Sequence, residues 1–132
     1  MNILLDTHAA IWFITDDDQL PAFSKAVIKD QGNRCFVSMA TLWEMGIKFS
    51  LGKLELKAEL KKIFELFFES GLLLLPITPE HILTNAALPF HHRDPFDRLL
   101  IAQAKREGFT LLSRDIEFES YNVNLIWDKA ES

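Results

Sequence analysis

The sequence predicts an α/β domain: a central, mostly parallel sheet of five strands with helices over both faces. Three observations predict it. Short apolar runs alternate with stretches of helical periodicity along the whole chain, the pattern of strands joined by helical crossovers. Sheets built this way are covered on both sides. Acidic residues fall just beyond the strand-like runs, where open α/β sheets place their ligands.

The elements follow in order. Residues 2–5 are a short apolar strand that turns at Asp6-Thr7, and His8 to Ile14 is apolar and helical. Asp16-Asp17-Asp18 ends that helix; the triplet suits a solvated loop or an N-cap better than a cation site. Pro21 to Asp30 reads as a second short helix. Cys35 to Val37 is the second strand, and Ser38 is an N-cap for a helix through Ser50, stopped at Gly52. Lys57 to Ser70 is amphipathic, with Leu60, Ile63, Phe64, Phe67 and Phe68 at helical spacing. Gly71 ends it and Leu72 to Ile77 is the third strand. Thr78-Pro79-Glu80 opens another helix, with Pro79 at its first position. After the polar loop His91-His92-Arg93-Asp94, Pro95 to Glu107 is helical and Gly108 caps it. Phe109 to Leu112 is the fourth strand. A loop or helical turn follows Asp115, and Val123 to Trp127 is the fifth strand.

With 132 residues and no repeat, linker or low-complexity run, residues 1–132 read as a single domain. The 48% hydrophobic content argues against disorder. The one cysteine, Cys35, excludes an internal disulfide and a cysteine-only zinc site; lying in an apolar run, it reads as a buried, inert thiol. The N-terminus lacks the basic region of a signal peptide, and no apolar run approaches the ~20 residues of a membrane span. A cytoplasmic protein without membrane association is expected. The net charge of -5 argues against broad nonspecific nucleic-acid binding, though not against a nuclease with an acidic site.

The candidate chemistry lies in the acids. Asp6 closes the first strand, Glu44 follows the second, Asp97 opens the helix after Pro95, and Asp115 follows the fourth strand. Gathered at one edge, these carboxylates would repel one another unless a hard divalent cation held them. Each has a plainer reading as well. Asp6 and Asp115 fit caps, and Glu44 fits a surface pair with Lys48. Asp94 and Asp97 both favour the start of a helix. Asp97 is the better metal candidate, and Asp94 the better cap. Lys48 either orients Glu44 or meets phosphate. Thr7 and Ser113 offer hydroxyl contacts. Arg93, Arg98 and Arg114 are candidate phosphate contacts, each weighed against solvated charge or ion pairing. His91 and His92, being adjacent, are poorly placed to chelate one ion and suit a surface loop or an RNA contact. His8 and His81 read as structural. There is no phosphate-binding Gly-rich loop, G-x-S-x-G elbow or recognisable cysteine nucleophile. A metal-dependent enzyme acting on a phosphate-bearing substrate is the expectation.

Four segments in order carry a family resemblance: Leu4-Leu5-Asp6-Thr7-His8, Ser38 to Lys48, His92 to Ala104 (His-Arg-Asp-Pro-Phe-Asp-Arg-Leu-Leu-Ile-Ala-Gln-Ala), and Leu112-Ser113-Arg114-Asp115. Together they resemble PIN-domain ribonucleases, and within these the VapC-type toxins of bacterial toxin–antitoxin pairs. The resemblance implies a three-layer α/β/α fold and a Mg2+- or Mn2+-dependent endoribonuclease. It implies that Asp6, Glu44, Asp97 and Asp115 are the catalytic, metal-binding acids, with Asp115 at the least uniform position and Ser113 as its accompanying hydroxyl residue. It further implies an RNA substrate, a cognate antitoxin protein and a homodimer. Trp12, Phe13, Trp43, Phe49 and Leu51 could form an apolar groove or dimer contact, though core packing is expected for most of them.

Two rivals share features of this pattern. A nuclease acting on DNA, or in RNA processing, would use the same acids. A non-enzymatic binding or phospho-receiver module also gathers acids at strand ends, but a receiver wants an Asp after its third strand. Here that strand ends Pro76-Ile77-Thr78.

Overall fold

The computed structural model describes residues 1–128. In chain order these form β1 (Asn2–Leu5), α1 (Thr7–Ile14), α2 (Ala22–Lys29), β2 (Arg34–Ser38), α3 (Met39–Ser50), α4 (Leu60–Glu69), β3 (Leu73–Leu75), α5 (Pro79–Ala86), α6 (Pro95–Glu107), β4 (Thr110–Leu112), a 3-10 helix (Ile116–Tyr121) and β5 (Leu125–Ile126). The five strands lie in the order β3-β2-β1-β4-β5. Every pairing is parallel, so the sheet is wholly rather than mostly parallel.

Alternation along β1 builds the three layers. Ile3 and Leu5 face one side and Leu4 the other, and all are fully buried. Ile3 and Leu5 join Val37, Leu112, Ala9, Met45, Ile63 and Phe67 in one core, beneath α1 to α4. Leu4 joins Phe36, Leu111, Leu100, Ile101 and Phe118 in the second core, against α6 and the 3-10 helix. The sheet is therefore a membrane of apolar side chains between two helical layers. Among the described residues, no helix is long and apolar enough to cross a lipid membrane.

Caps set the helix starts at the site. Asp6 Oδ1 accepts the Ala9 N–H (2.8 Å), Ser38 Oγ accepts from Ala40 (2.9 Å), and Asp94 Oδ1 accepts from Phe96 and Asp97 (2.8 and 3.1 Å). Gly108, at φ 72°, closes α6 in the left-handed region. Several element ends differ from the periodicity. The fourth helix starts at Leu60 rather than Lys57, because Leu54, Leu56 and Ala58 pack against the first core from a non-helical segment that bends at 57–58. The third strand is Leu73–Leu75 rather than Leu72 to Ile77; Pro76 has no N–H for the ladder. The fifth strand is limited to Leu125–Ile126. Core packing holds for Trp12 and Phe13 but not for Trp43, Phe49 and Leu51, which are exposed on or just after α3.

The strand order places a topological switch between β1 and β4. From β1 the chain moves to β2 and β3 on one side, then crosses to β4 and β5 on the other. Crevices form at the carboxyl ends of strands at such a point.

Candidate active site

Asp6 and Ser113 begin where the register pair Leu5–Leu112 ends, so both stand on the switch-point edge. The Asp6 N–H donates to the Leu112 carbonyl (3.1 Å), and the Ser113 hydroxyl donates to Asp6 Oδ2 (2.6 Å). The same hydroxyl accepts the Asp115 N–H (3.0 Å). One serine thus ties the first acid to the last. Asp6 also caps α1 through its other oxygen while lining the cleft.

Glu44 comes from the middle of α3 and is buried. Burial removes the surface-pair alternative. Its Oε1 accepts from the Thr7 hydroxyl (2.6 Å) and its Oε2 from Lys48 Nζ (2.6 Å). Thr7 and Lys48 hold the Glu44 carboxylate from opposite elements, so Lys48 orients Glu44. Asp97 stands in the first turn of α6, placed there by the Asp94 cap. Asp115 Oδ1 caps the 3-10 helix by accepting from Glu117 N–H (2.9 Å), which leaves Oδ2 directed at His92 (3.1 Å).

These acids meet in one cleft of about 350 Å³, lined by Asp6, Thr7, His8, Trp12, Glu44, Lys48, Asp94, Asp97, Arg114, Asp115, Phe118 and Trp127. Burial pushes the Asp97 carboxyl up to about 7; Asp94, and more weakly Glu44 and Asp6, push the same way, while His92 opposes them. Burial also raises Asp6, against the opposing hydrogen bonds from Ser113 and Ala9. Lys48 is raised by its bond to Glu44, with Asp94 and Asp97 adding to it. Crowded, half-desolvated carboxylates with few neutralising partners favour an added positive charge. The donors are oxygens, which suit Mg2+ or Mn2+.

The remaining predicted residues divide. Arg114 lines the cleft, with its guanidinium 4.8 Å from the Trp12 ring. Arg93 is exposed on the loop before α6, outside the cleft lining. Arg98 is not brought to the site. One residue along a helix is a turn of about 100°, so while Asp97 faces the cleft Arg98 points into the protein. It is buried, donates to the carbonyls of Pro89 (2.8 Å), Asn85 (3.2 Å) and Leu88 (3.3 Å), and packs over Phe90. It holds the α5–α6 connection and has no free face for phosphate.

The histidines also separate. His81 is structural: it is buried, completes the capping box of α5 with Thr78, and reaches Glu107 (2.8 Å). His8 is exposed and lines the cleft, so it is not a packing residue. His92 is no surface residue. Its side chain is 12% exposed, with Nε2 3.1 Å from Asp115, 3.3 Å from Asp97 and 3.5 Å from Glu117. Glu117 is a site neighbour that residue patterns did not single out, and His92, which by sequence suits a surface loop or an RNA contact, lies instead against the acids. The available signal was the position of His92 two residues before a capping Asp, where its ring can turn back onto the helix start.

An acid-lined cleft thus opens at the switch point of a fully parallel, three-layer sheet. The PIN domain model matches residues 3–124, and the chain belongs to that family of nucleases. Among solved structures, VapBC2 from Rickettsia felis, bound to a DNA fragment from their promoter, superposes with a TM-score of 0.74 at 19% identity, covering 97% of this chain and 100% of that one. VapBC-1 from nontypeable Haemophilus influenzae gives 0.65 at 14% identity, covering 96% and 97%. FitAcB from Neisseria gonorrhoeae gives 0.55 at 19%, covering 94% and 96%. No curated protein matches the chain significantly.

Proposed function

We propose that this chain is a Mg2+- or Mn2+-dependent endoribonuclease and the toxin of a toxin–antitoxin pair. The observation that carries the reading is the convergence of Asp6, Glu44, Asp97 and Asp115 on one cleft at the switch point of a PIN fold. The four acids would hold the cation. A bound Mg2+ or Mn2+ supplies a water of lowered pKa and neutralises charge on the phosphate oxygens.

The chain's own groups do the rest. Ser113 holds Asp6, and Thr7 and Lys48 hold Glu44, so two carboxylates keep one orientation before substrate arrives. Arg114 and Lys48, both at the cleft, and Arg93 at the neighbouring loop position the RNA phosphates. Water attacks phosphorus in line and releases a proton to solvent, the phosphorus–oxygen bond to the leaving nucleotide breaks, and the departing oxygen takes up a proton from solvent. Asp97, whose carboxyl burial pushes up, would hold the cation in its ionised form.

A second groove, lined by Ile11, Trp12, Leu54, Leu56 and Ile63 with Asp16, Asp17, Asp18 and Glu55, shares His8 and Trp12 with the cleft. Its apolar floor and acidic rim suit a basic, amphipathic antitoxin segment that continues into the cleft. Trp43 and Met39, one turn apart and exposed on α3, suit a homodimer contact. A cytoplasmic RNA target accords with the free thiol of Cys35.

The test is cleavage of total RNA and of single-stranded DNA by purified protein, with Mg2+ or Mn2+ and with EDTA. Divalent-ion-dependent cutting of RNA supports the reading. Cutting of DNA alone, or of neither, contradicts it.

A further inference from the structure

Nothing in the nuclease mechanism above uses His92, although it is the basic side chain closest to the acids of β4 and α6. Its surroundings define its role. The Asp94 backbone N–H points at His92 Nδ1 (3.1 Å). A ring nitrogen that accepts a hydrogen bond carries its lone pair there, so the proton of the neutral ring sits on Nε2. Nε2 is hydrogen-bonded to Asp115 Oδ2 at 3.1 Å and stands 3.3 Å from Asp97 Oδ2 without a hydrogen bond to it. The ring is fixed from behind: the His92 N–H donates to the Tyr121 hydroxyl (2.7 Å), and the imidazole packs 5.7 Å from the Phe118 ring.

We propose that His92 is a positioning residue, a donor clamp whose Nε2–H holds the Asp115 carboxylate beside Asp97 for the cation. The proposal rests on the reading of those acids as metal-holding groups. His92, Asp115 and Glu117 also have the spacing of a ligand trio, but Nε2 cannot offer a lone pair to an ion while the Asp94 N–H occupies Nδ1. His92 therefore acts through the acids and does not touch the ion. Asp115 needs such help: it starts a 3-10 helix on a loop after a three-residue strand, whereas Asp97 sits in a capped helix of 13 residues. The clamp holds the looser acid in place beside the firmer one.

The experiment titrates metal-free protein with Mn2+ alone by calorimetry, for wild type, His92→Ala, His92→Gln and Asp97→Asn. Outer hydrogen-bond partners of metal ligands are worth about 10- to 100-fold in affinity. His92→Ala should weaken Mn2+ binding by about tenfold or more, and His92→Gln, whose amide can place an N–H near the Nε2 position, should recover most of it. Wild-type affinity in His92→Ala, or a Gln variant as weak as the Ala variant, overturns the clamp. If Asp97→Asn also keeps wild-type affinity, the acid site itself is wrong; if it alone loses binding, only the clamp fails. Should His92→Ala not fold, imidazole 15N NMR of the wild type decides. A proton on Nε2 and none on Nδ1, with and without Mg2+, supports the clamp; a proton on Nδ1, or loss of the Nε2 proton on Mg2+ addition, overturns it.

Discussion

Ser113 Oγ lies 2.6 Å from Asp6 Oδ2, a bond between residues 107 positions apart. It closes the switch point of the sheet, since the two residues follow paired ends of β4 and β1. Asp6 is buried, and this hydrogen bond is the chief influence lowering its carboxyl against the effect of burial.

Ser113→Ala should therefore harm both stability and catalysis. A hydrogen bond to a charged group contributes about 1.5–3 kcal/mol, and loss of that size is expected in urea unfolding of metal-free protein. RNA cleavage should fall at least about tenfold, as for other outer-shell partners. A variant with unchanged cleavage would show that Asp6 does not depend on this partner.

Arg98 and Arg114 should part company. Arg98→Ala strips a buried guanidinium from three carbonyls, and unpaired buried polar groups cost about 1–3 kcal/mol each. Its defect should be a lower thermal midpoint, seen equally with and without metal. Arg114→Ala, on the cleft rim, should leave the midpoint within a few degrees and raise KM for RNA severalfold. The reverse pattern would return Arg98 to the substrate site.

Stability of the metal-free protein should fall as pH rises through neutrality. Asp97 is pushed up to about 7 from an ordinary 3.8, so between those values the folded protein holds a proton that the unfolded chain has released. The contribution is complete below the lower value and gone above the higher one. Asp6, also raised, acts in the same sense. Thermal midpoints in EDTA from about pH 5.5 to 8 should decline, less steeply in Asp97→Asn, and saturating Mg2+ should flatten the slope because it binds the ionised acids. A midpoint that rises over this range in EDTA would contradict the assignment.

Asp6→Asn should keep the fold and lose the chemistry. Asn caps a helix about as well as Asp, so the α1 start survives while the anionic ligand is gone. Circular dichroism should be unchanged and RNA cleavage should drop by two orders of magnitude or more, about the scale of losing a group that contacts the reacting centre.

Much of this site was legible in the sequence because Asp6, Asp97 and Asp115 stand at element boundaries, where periodicity changes and caps announce themselves. Asp6 after an apolar strand, Asp94 before Pro95, and Gly108 after a helical run carry local signals, and the structure follows them. Long-range geometry was not legible. Arg98 looks available beside Asp97, yet a single step of helical rotation turns it inward onto the carbonyls of the α5–α6 connection. His92 looked like half of an adjacent histidine pair, and only the return of β4 and its 3-10 helix brings Asp115 to it. The exposed Trp43 shows the same limit: hydrophobicity predicts burial, yet its place on α3 leaves the indole facing out. The non-helical segment before α4 follows from core packing of Leu56 and Ala58, a tertiary effect on residues that otherwise suit a helix.

The most direct test of the central claim is cleavage of a defined RNA by purified wild type and Asp97→Asn, each with Mg2+ or Mn2+ and each with EDTA. The account predicts discrete cuts by the wild type with the divalent ion only, and none by the variant despite an unchanged fold. Cleavage by Asp97→Asn at the wild-type rate, or by wild type in EDTA, would contradict a metal-dependent acidic site.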